Sequence, residues 1–231
     1  MVAAPAEARA VRAGMGSRRE DPPPTFWVLE PLGPWFDLVV SGVGKAQAAG
    51  AAAWAFDPAR HAGVLSVGVG GALPGSRLTP KSVVLGTASL FADEGSAMPG
   101  GFRTIDAMGF PAGGFGPDGA APPPSWLEAL APLADVAGPI ATVSTCSGTD
   151  ELAAEVARRT GAVAEAMEGA AVAAAVSRMP ADPRPAFGEI RVISNSTGDR
   201  ERQAWDLAGA LERLVDLARA LAAIGGRLAR P

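Results

Sequence analysis

Short apolar runs alternate along the chain with segments whose apolar residues recur at helical spacing. The apolar runs predict strands at residues 1–4, 26–29, 38–40, 63–69, 82–91, 140–144 and 188–193. The other segments predict helices at residues 6–13, from 41–45 to about 56, at 150–159 and from 203 to about 227. Residues 14–24 are predicted to form a polar connection and residues 100–124 a long loop. The alternation of strands and helices predicts an α/β fold.

The segment from residue 162 to residue 200 places two polar side chains beside apolar strands. Glu168 is predicted at a strand-to-helix junction, and Asn195 just past the C-terminal end of a strand. Because ligands in open α/β sheets bind outside the carboxyl ends of strands, both side chains are candidates for ligand binding. Each also has an ordinary structural explanation. The Glu168 carboxylate could stabilise the positive end of a helix dipole, and the Asn195 side chain could form an Asx turn.

Length, composition and charge narrow the class of protein. The 231 residues suit a single domain covering 1–231, and 48% hydrophobic residues are enough for a core. The net charge of −4, without basic runs, argues against a nucleic-acid partner. The single cysteine, Cys146, excludes an internal disulfide and suits a reducing compartment. No apolar run reaches the roughly 18 residues of a membrane span, and no signal peptide is evident, so we expect a cytoplasmic protein.

Several common catalytic motifs are absent from the sequence. The Gly-Lys pair at 44–45 is not a P-loop, because Val39 fills the first glycine position and Ala46 follows the lysine. A later glycine-rich turn is not the dinucleotide fingerprint, because Leu73 fills its third glycine position. A Cys–His or Ser–His–Asp catalyst would have to use His61, the only histidine, which lies in a polar loop. We therefore expect no cofactor and no metal.

Two motifs carry a resemblance to a known family. The residues MEGAA at 167–171, followed by RVISN at 191–195, resemble the purine nucleoside phosphorylase/hydrolase superfamily on its nucleosidase branch. The resemblance implies a mixed β-sheet flanked by helices and a nucleoside substrate. It also implies that Met167 packs on the ribose, that Glu168 binds the 2′- and 3′-hydroxyls, and that Asn195 reads the purine.

The same resemblance implies further roles. Glu7, which could simply cap a helix, matches the family's catalytic glutamate and would deprotonate the attacking water. Further residues implied at the substrate are Val69, Gly70, Thr145, Cys146, Ser194 and Trp205, with a supporting role for Asp93. For Cys146 alone, a small buried hydrophobe is the more ordinary explanation, and Trp205 could instead be a hydrophobic staple. The family pattern also implies a homodimer in which loop 100–124, with Phe102 and Phe110, covers the neighbour's pocket.

Arg191 interrupts an apolar strand and is therefore expected to be paired. Glu7 is a candidate partner that would fix the position of the attacking water, and the alternative is an outward-facing strand residue. In either case a carboxylate at position 168 would place negative charge beside the cationic sugar of an oxocarbenium-like transition state.

Asn195 bears on the identity of the base. An aspartate can protonate purine N7 and accept from an exocyclic amine, whereas an asparagine can donate to N7 or O6 and accept from a ring N–H. Asn195 therefore favours a 6-oxopurine such as hypoxanthine. An asparagine at this place is also similar to the futalosine hydrolases of this superfamily. Arg103 is a candidate for the carboxylate of the 5′ substituent.

Other activities remain open from the sequence. They are a methylthioadenosine/adenosylhomocysteine or aminodeoxyfutalosine nucleosidase, a phosphate-dependent purine nucleoside phosphorylase, and a binding protein on the same fold. An unrelated Rossmann-like enzyme is a weaker alternative, because no cofactor motif supports it. A phosphorylase is disfavoured because the glycine-rich segments have no arginine nearby until Arg77 and otherwise only Lys45.

Overall fold

The computed structural model describes residues 1–16, 23–110 and 113–229. The helices are α1 (Pro5–Gly14), α2 (Lys45–Ala55), α3 (Pro124–Leu130), α4 (Asp150–Thr160), α5 (Gly169–Ser177) and α6 (Leu207–Leu228). The strands are β1 (Glu30–Leu32), β2 (Phe36–Leu38), β3 (Gly63–Ala72), β4 (Val83–Phe91), β5 (Gly95–Met98), β6 (Gly101–Thr104), β7 (Val136–Thr142), β8 (Ala164–Ala166) and β9 (Ala186–Ser196).

The central sheet has five strands in the order β3-β8-β7-β4-β9 and closes on itself. Strand β3 pairs in parallel with β9 and antiparallel with β8, while β4 pairs in parallel with β7 and antiparallel with β9. The predicted α/β fold with a mixed, helix-flanked sheet is confirmed. Its closure was not predicted; the short strand β8 makes it possible by pairing with both β3 and β7.

Strand β9 has two different faces because successive side chains of a strand alternate. Ile190 and Val192 belong to the core formed with α1 and α6. Phe187 packs with Val64 against α2 and α5. Arg191 lies four residues after Phe187, so both side chains project from the same face of β9, and Arg191 points toward α2 and α5.

Two of the predicted strands are reduced to single bridges. Val2 and Phe26 each bridge to Val40, and the hairpin that follows is formed by β1 and β2 instead. The first segment ends because helix α1 begins at Pro5. The second ends because Trp27 has a positive φ of 61°, which interrupts an extended chain.

The prediction of one long loop over residues 100–124 is wrong. Strands β5 and β6 form a hairpin in which Met98 pairs with Gly101, and a 3₁₀ turn follows at Asp106–Met108. Pro99 and Gly100 form the turn of this hairpin. The high glycine and proline content of the segment, which is typical of irregular loops, is the reason why the sequence analysis predicted no strand here. Residues 111–112 of this segment, like residues 17–22 of the predicted polar connection, lie outside the described residues.

Two boundaries near the C-terminus also differ from prediction. Helix α6 begins at Leu207 rather than residue 203, because the side chain of Asp206 caps it by accepting the Gly209 N–H at 2.8 Å. Asn195 lies within β9 and not after it, since the strand continues to Ser196. It pairs with Gly71 just past a register shift in β3.

The final helix is anchored to the rest of the core by an indole. Trp126 of α3 is buried and donates its Nε1–H to the carbonyl of Leu228 at 3.0 Å. No helix within residues 1–16, 23–110 and 113–229 combines the length and the apolar character needed to cross a membrane.

Candidate active site

Glu7 links the first helix to the central sheet. Its Oε2 accepts the backbone N–H groups of Ala3 and Ala4 at 2.9 Å each, as a side chain in the first turn of a helix can. Its Oε1 accepts the N–H of Val69 in β3 at 2.8 Å. Glu7 is only 4% exposed, so it caps α1 and is also held at β3.

Arg191 lies at the centre of a buried polar cluster and is 1% exposed. Its Nε lies 2.9 Å from Glu189 Oε1, its Nη1 lies 3.1 Å from Glu168 Oε2, and its Nη2 donates to Ser66 Oγ at 3.0 Å. The alternative of an outward-facing strand residue is therefore wrong. The expected pairing with Glu7 is also corrected, because the ion pairs of Arg191 are to Glu168 and Glu189.

Gly68 separates Glu7 from Arg191. Gly68 is the β3 partner of Arg191, and a Cβ atom on it would stand 2.9 Å from Arg191 Nη1 and still closer to Glu7 Oε1. That position is one carbon–carbon bond length from the Gly68 Cα, so the Glu7 carboxylate and Arg191 Nη1 both lie against the bare backbone of this glycine. A water in contact with both groups would accept from Arg191 and donate to Glu7.

The electrostatics of the cluster follow from its burial. Desolvation raises the pKa of Glu7, and the nearby Glu168 adds to this, while Arg191 and the N–H groups of Val69 and Ala4 act in the opposite direction. Desolvation opposes the charge of Arg191, but the carboxylates around it raise its pKa, so the guanidinium stays protonated.

Glu168 lies where β8 passes into α5, at the N-cap position of the helix, as predicted from the sequence. Its Oε1 accepts the N–H of Gly44 at 3.1 Å, while Oε2 faces Arg191. Gly44 has a φ of +95° and immediately precedes α2, so the glycine lets the backbone turn its N–H toward this carboxylate. Met167, next to Glu168, is half-buried.

The carboxamide of Asn195 is held in one orientation by its neighbours. Ser194 Oγ lies 2.8 Å from Asn195 Oδ1, and Asn195 Nδ2 donates to the carbonyl of Ser196 at 2.8 Å. The hydroxyl of Ser194 is also 3.2 Å from the carbonyl of Gly70. One N–H of the amide and one lone pair of its oxygen remain for a ligand.

A polar loop after β7 lies beside this asparagine. Thr145 and Cys146 are exposed on it, and Cys146 Sγ is 3.6 Å from Met167 Sδ. Ser147 is buried, and Glu165 accepts both its N–H at 2.8 Å and its hydroxyl at 2.6 Å. A Cβ atom on Gly71 would stand 3.4 Å from Asn195 Nδ2 and 3.6 Å from Glu165 Cγ, so both side chains lie against Gly71 of β3, the strand between β8 and β9.

A family model described as the phosphorylase superfamily matches residues 38–229, which includes all of these residues except Glu7 and its partners Ala3 and Ala4. The chain belongs to the phosphorylase superfamily. The resemblance inferred from the motifs at 167–171 and 191–195 is confirmed.

Relatives of this superfamily member cover most of its length. A protein named futalosine hydrolase from Acidothermus cellulolyticus is 37% identical over 97% of this chain and 88% of its own length. A second futalosine hydrolase, from Streptomyces coelicolor, is 35% identical over 82% and 79%. A 5′-methylthioadenosine/S-adenosylhomocysteine nucleosidase from Colwellia psychrerythraea, solved with adenine, has the same fold, with a TM-score of 0.72 at 23% identity over 98% of this chain and 93% of that one.

Other predicted residues surround the phosphorylase-superfamily site at its rim. Trp205 is 48% exposed, forms a backbone bridge to Asn195, and lies under the Arg200 guanidinium at 4.8 Å. Asp93 binds the ammonium group of Lys45 and accepts the N–H of Ser144 at 2.5 Å. It therefore ties the start of α2 to the end of β7.

The residues predicted for the neighbour's pocket and the 5′ substituent do not contact this cluster. Phe102 stacks under the Arg159 guanidinium at 4.2 Å, and Phe110 is exposed. Arg103 turns back onto the carbonyl of Ala107 at 2.9 Å.

Two buried carboxylates were missed by the sequence analysis: Glu189, which pairs with Arg191, and Glu165, which accepts from Ser147. Both interrupt apolar strands, which is the argument that had singled out Arg191. Applied to all three positions, it would have identified each as a buried polar residue that needs a partner. Ser66, Ser147 and Gly44 carry no comparable signal, because small polar residues and glycines are common in strands and turns.

The described part of the chain offers no group of three or more His, Cys, Asp or Glu side chains placed to hold a metal ion.

Proposed function

We propose that this protein, as a single domain, hydrolyses the N-glycosidic bond of futalosine and releases hypoxanthine, as a step of menaquinone biosynthesis. The observation that carries the reaction class is the meeting of Glu7 and Arg191 at Gly68 of β3, with Glu168 paired to the same arginine. The relatives named futalosine hydrolase support the substrate.

In the proposed reaction, Glu168 binds the ribose. Its Oε1 accepts the Gly44 N–H and its Oε2 forms an ion pair with Arg191, so lone pairs of both oxygens remain for two vicinal hydroxyls. Its negative charge stabilises the oxocarbenium-like sugar as the bond to the base lengthens.

The attacking water is held between Glu7 and Arg191. Glu7 Oε1 accepts a proton from it, and Arg191 Nη1 orients it. On the opposite side of the sugar, the free N–H of Asn195 donates to N7 or O6 of the leaving 6-oxopurine, and its oxygen accepts from a ring N–H.

Water is favoured over phosphate as the acceptor by the state of the neighbouring cations. Arg191 is held by Glu189 and Glu168, and Lys45 binds Asp93 and Glu94. Arg77, the next arginine along the glycine-rich segment, is exposed. A phosphate dianion would need cations that are not already engaged by carboxylates.

The test is base release by purified protein from futalosine, inosine, methylthioadenosine and aminodeoxyfutalosine, each with and without phosphate, followed by chromatography. We expect phosphate-independent hypoxanthine release from futalosine. Adenine release from the aminopurine nucleosides would instead identify an adenosyl nucleosidase, and phosphate-dependent cleavage would identify a phosphorylase.

The Glu7→Gln substitution separates an enzyme from a binding protein. Loss of the general base should lower kcat by about 10²- to 10⁴-fold while the protein still binds substrate. Unchanged turnover would contradict the role of Glu7, and a wild-type protein that binds nucleosides without cleaving them would be a binding protein.

We also propose that the protein is a cytoplasmic homodimer. Trp54 near the end of α2 is 74% exposed, and Val43 just before α2 is exposed as well, which is unusual for an indole and an isopropyl group. Sedimentation velocity should give a dimer that Trp54→Glu converts to a monomer. A monomeric wild-type protein at assay concentrations would contradict the proposal.

A further inference from the structure

Glu189 has no role in the reaction described so far, although it touches the residue at the centre of the cluster. It is 0% exposed and lies two positions before Arg191 in β9, so that both side chains project from one face of the strand. Its Oε1 lies 2.9 Å from Arg191 Nε.

Two features of the fold fix the Glu189 carboxylate from the other side. Ser89 in β4 donates its hydroxyl to Glu189 Oε2. Gly169, the first residue of α5, lies so close that a Cβ atom on it would overlap the carboxylate. The positive end of the α5 dipole therefore faces a buried negative charge, which it stabilises.

This arrangement determines where the guanidinium of Arg191 points. The group is planar and its donors have a fixed geometry. With Nε directed at Glu189 and Nη2 at Ser66, the remaining nitrogen Nη1 faces Glu168 and Gly68.

We propose that Glu189 is a positioning residue, which holds Arg191 so that Nη1 reaches both the sugar-binding carboxylate and the attacking water. The inference rests on the proposed hydrolysis.

The pairing of Glu189 with Arg191 also affects the charge at the sugar. Because Arg191 is shared between Glu189 and Glu168, it does not neutralise Glu168 alone, and negative charge remains beside the sugar where positive charge develops.

The test compares Glu189→Gln with a matched control, Asp37→Asn. The glutamine keeps the shape but offers Arg191 Nε only a neutral and weaker acceptor, while the Ser89 hydroxyl can turn to accept from its amide. Asp37 is also a largely buried carboxylate; it is bound by Arg60 at 3.1 Å and by His61 at 2.9 Å, away from the cluster.

For Glu189→Gln we expect kcat to fall about 10- to 100-fold with KM within about threefold of the wild-type value, because the orientation of the water and the charge at the sugar matter most in the transition state. Asp37→Asn should leave both constants unchanged. Ser89→Ala, which releases Glu189 without altering its charge, should give a smaller loss of kcat and serves as the second variant if Glu189→Gln does not fold.

A second readout requires no substrate. The Arg191 Nε–H should give an NMR signal in slow exchange with solvent, identified by its disappearance in Arg191→Lys. We expect this exchange to accelerate in Glu189→Gln and to remain slow in Asp37→Asn.

The outcomes separate this inference from the proposed function. A folded Glu189→Gln protein with wild-type kcat, or with unchanged exchange of the Arg191 Nε–H, would overturn the positioning role. Equal losses of kcat in Glu189→Gln and Asp37→Asn would show a purely structural effect and would overturn it too. Failure of the wild-type protein to cleave any nucleoside of the panel would contradict the hydrolase proposal, and the exchange experiment would still decide whether Glu189 holds Arg191.

Discussion

Glu168 Oε2 lies 3.1 Å from Arg191 Nη1, while the other oxygen of Glu168 accepts the Gly44 N–H at the same distance. The carboxylate is thereby held from two sides by elements that are far apart in sequence, β9 and the start of α2. A side chain fixed in this way loses little freedom when a ligand binds, which favours recognition of a rigid pair of hydroxyl groups.

Gly68→Ala should abolish most of the activity. The added methyl group would overlap Glu7 Oε1 and crowd Arg191 Nη1, so it would displace the two groups that are proposed to hold the attacking water. We expect kcat/KM to fall about 100-fold or more, comparable to loss of a general base. The control is Gly188→Ala, whose methyl group would meet Leu65 and Trp126 in the core. It should cost stability and leave activity intact; equal activity in the two variants would argue against the water position.

The pH dependence of kcat/KM should report the raised pKa of Glu7. Burial disfavours the ionised carboxylate, so the proton is retained to a higher pH than the ordinary glutamate value of 4.5. Protonated Glu7 cannot accept a proton from water, so activity should be lost as the pH falls through this raised pKa. A rate profile measured from pH 4 to pH 9 checks this. The residual activity of Glu7→Gln should lack the acidic limb, and a wild-type limb at or below 4.5 would contradict the assignment.

Asn195→Asp should shift preference from 6-oxopurines toward 6-aminopurines. One oxygen of the aspartate would face the carbonyl of Ser196, where Asn195 Nδ2 now donates, and this repulsion favours the protonated acid. A protonated carboxyl can deliver its proton to purine N7. We expect the ratio of kcat/KM for inosine to that for adenosine to fall about 100-fold, since an unmatched hydrogen-bonding group discriminates strongly. Asn195→Ala should weaken both reactions; a similar ratio in both variants would count against base reading by this residue.

Cys146 should react slowly with thiol reagents despite its exposure. Burial of part of the thiol, together with Glu165 and Glu168, raises its pKa above the ordinary value of 9.0. The thiolate fraction at pH 8 is therefore smaller than that of a free cysteine. Reaction with a chromogenic disulfide, followed from pH 7 to pH 10, should reach half its maximal rate above 9.0. Bound nucleoside should slow it further if the loop flanks the purine; a midpoint below 9.0 would contradict the assignment.

The strands that the sequence predicts well are the ones buried on both sides. The runs at 63–69, 82–91 and 188–193 are long and apolar because β3, β4 and β9 are covered by helices and by neighbouring strands. The segment at 26–29 is just as apolar, yet it forms only a bridge. The left-handed φ of Trp27 is accompanied by tertiary contacts, among them the hydrogen bond from its Nε1 to the carbonyl of Ser41. Such a backbone conformation cannot be predicted from the hydropathy of the segment.

The candidate site shows the same division. Glu168 lies two residues after β8 and Asn195 is the second-last residue of β9, so the apolar pattern locates both near strand ends, and their placement near a ligand site could be predicted from sequence. The partner of Arg191 could not, because the register of β9 against β3 and the position of α5 decide that it meets Glu189 and Glu168 instead of Glu7. Pairings of this kind depend on which residues oppose each other across a sheet, and a single sequence does not contain that information.

The closed sheet has a consequence for how the protein loses activity. Strand β9, which carries Glu189 and Arg191, is bonded on one side to β3 and on the other to β4, so it has no free edge from which to peel away. A local opening that released Arg191 would have to break two ladders at once. The amides of β9 should therefore be among the slowest to exchange with deuterium, and chemical denaturants should abolish turnover only at the concentrations at which the whole chain unfolds.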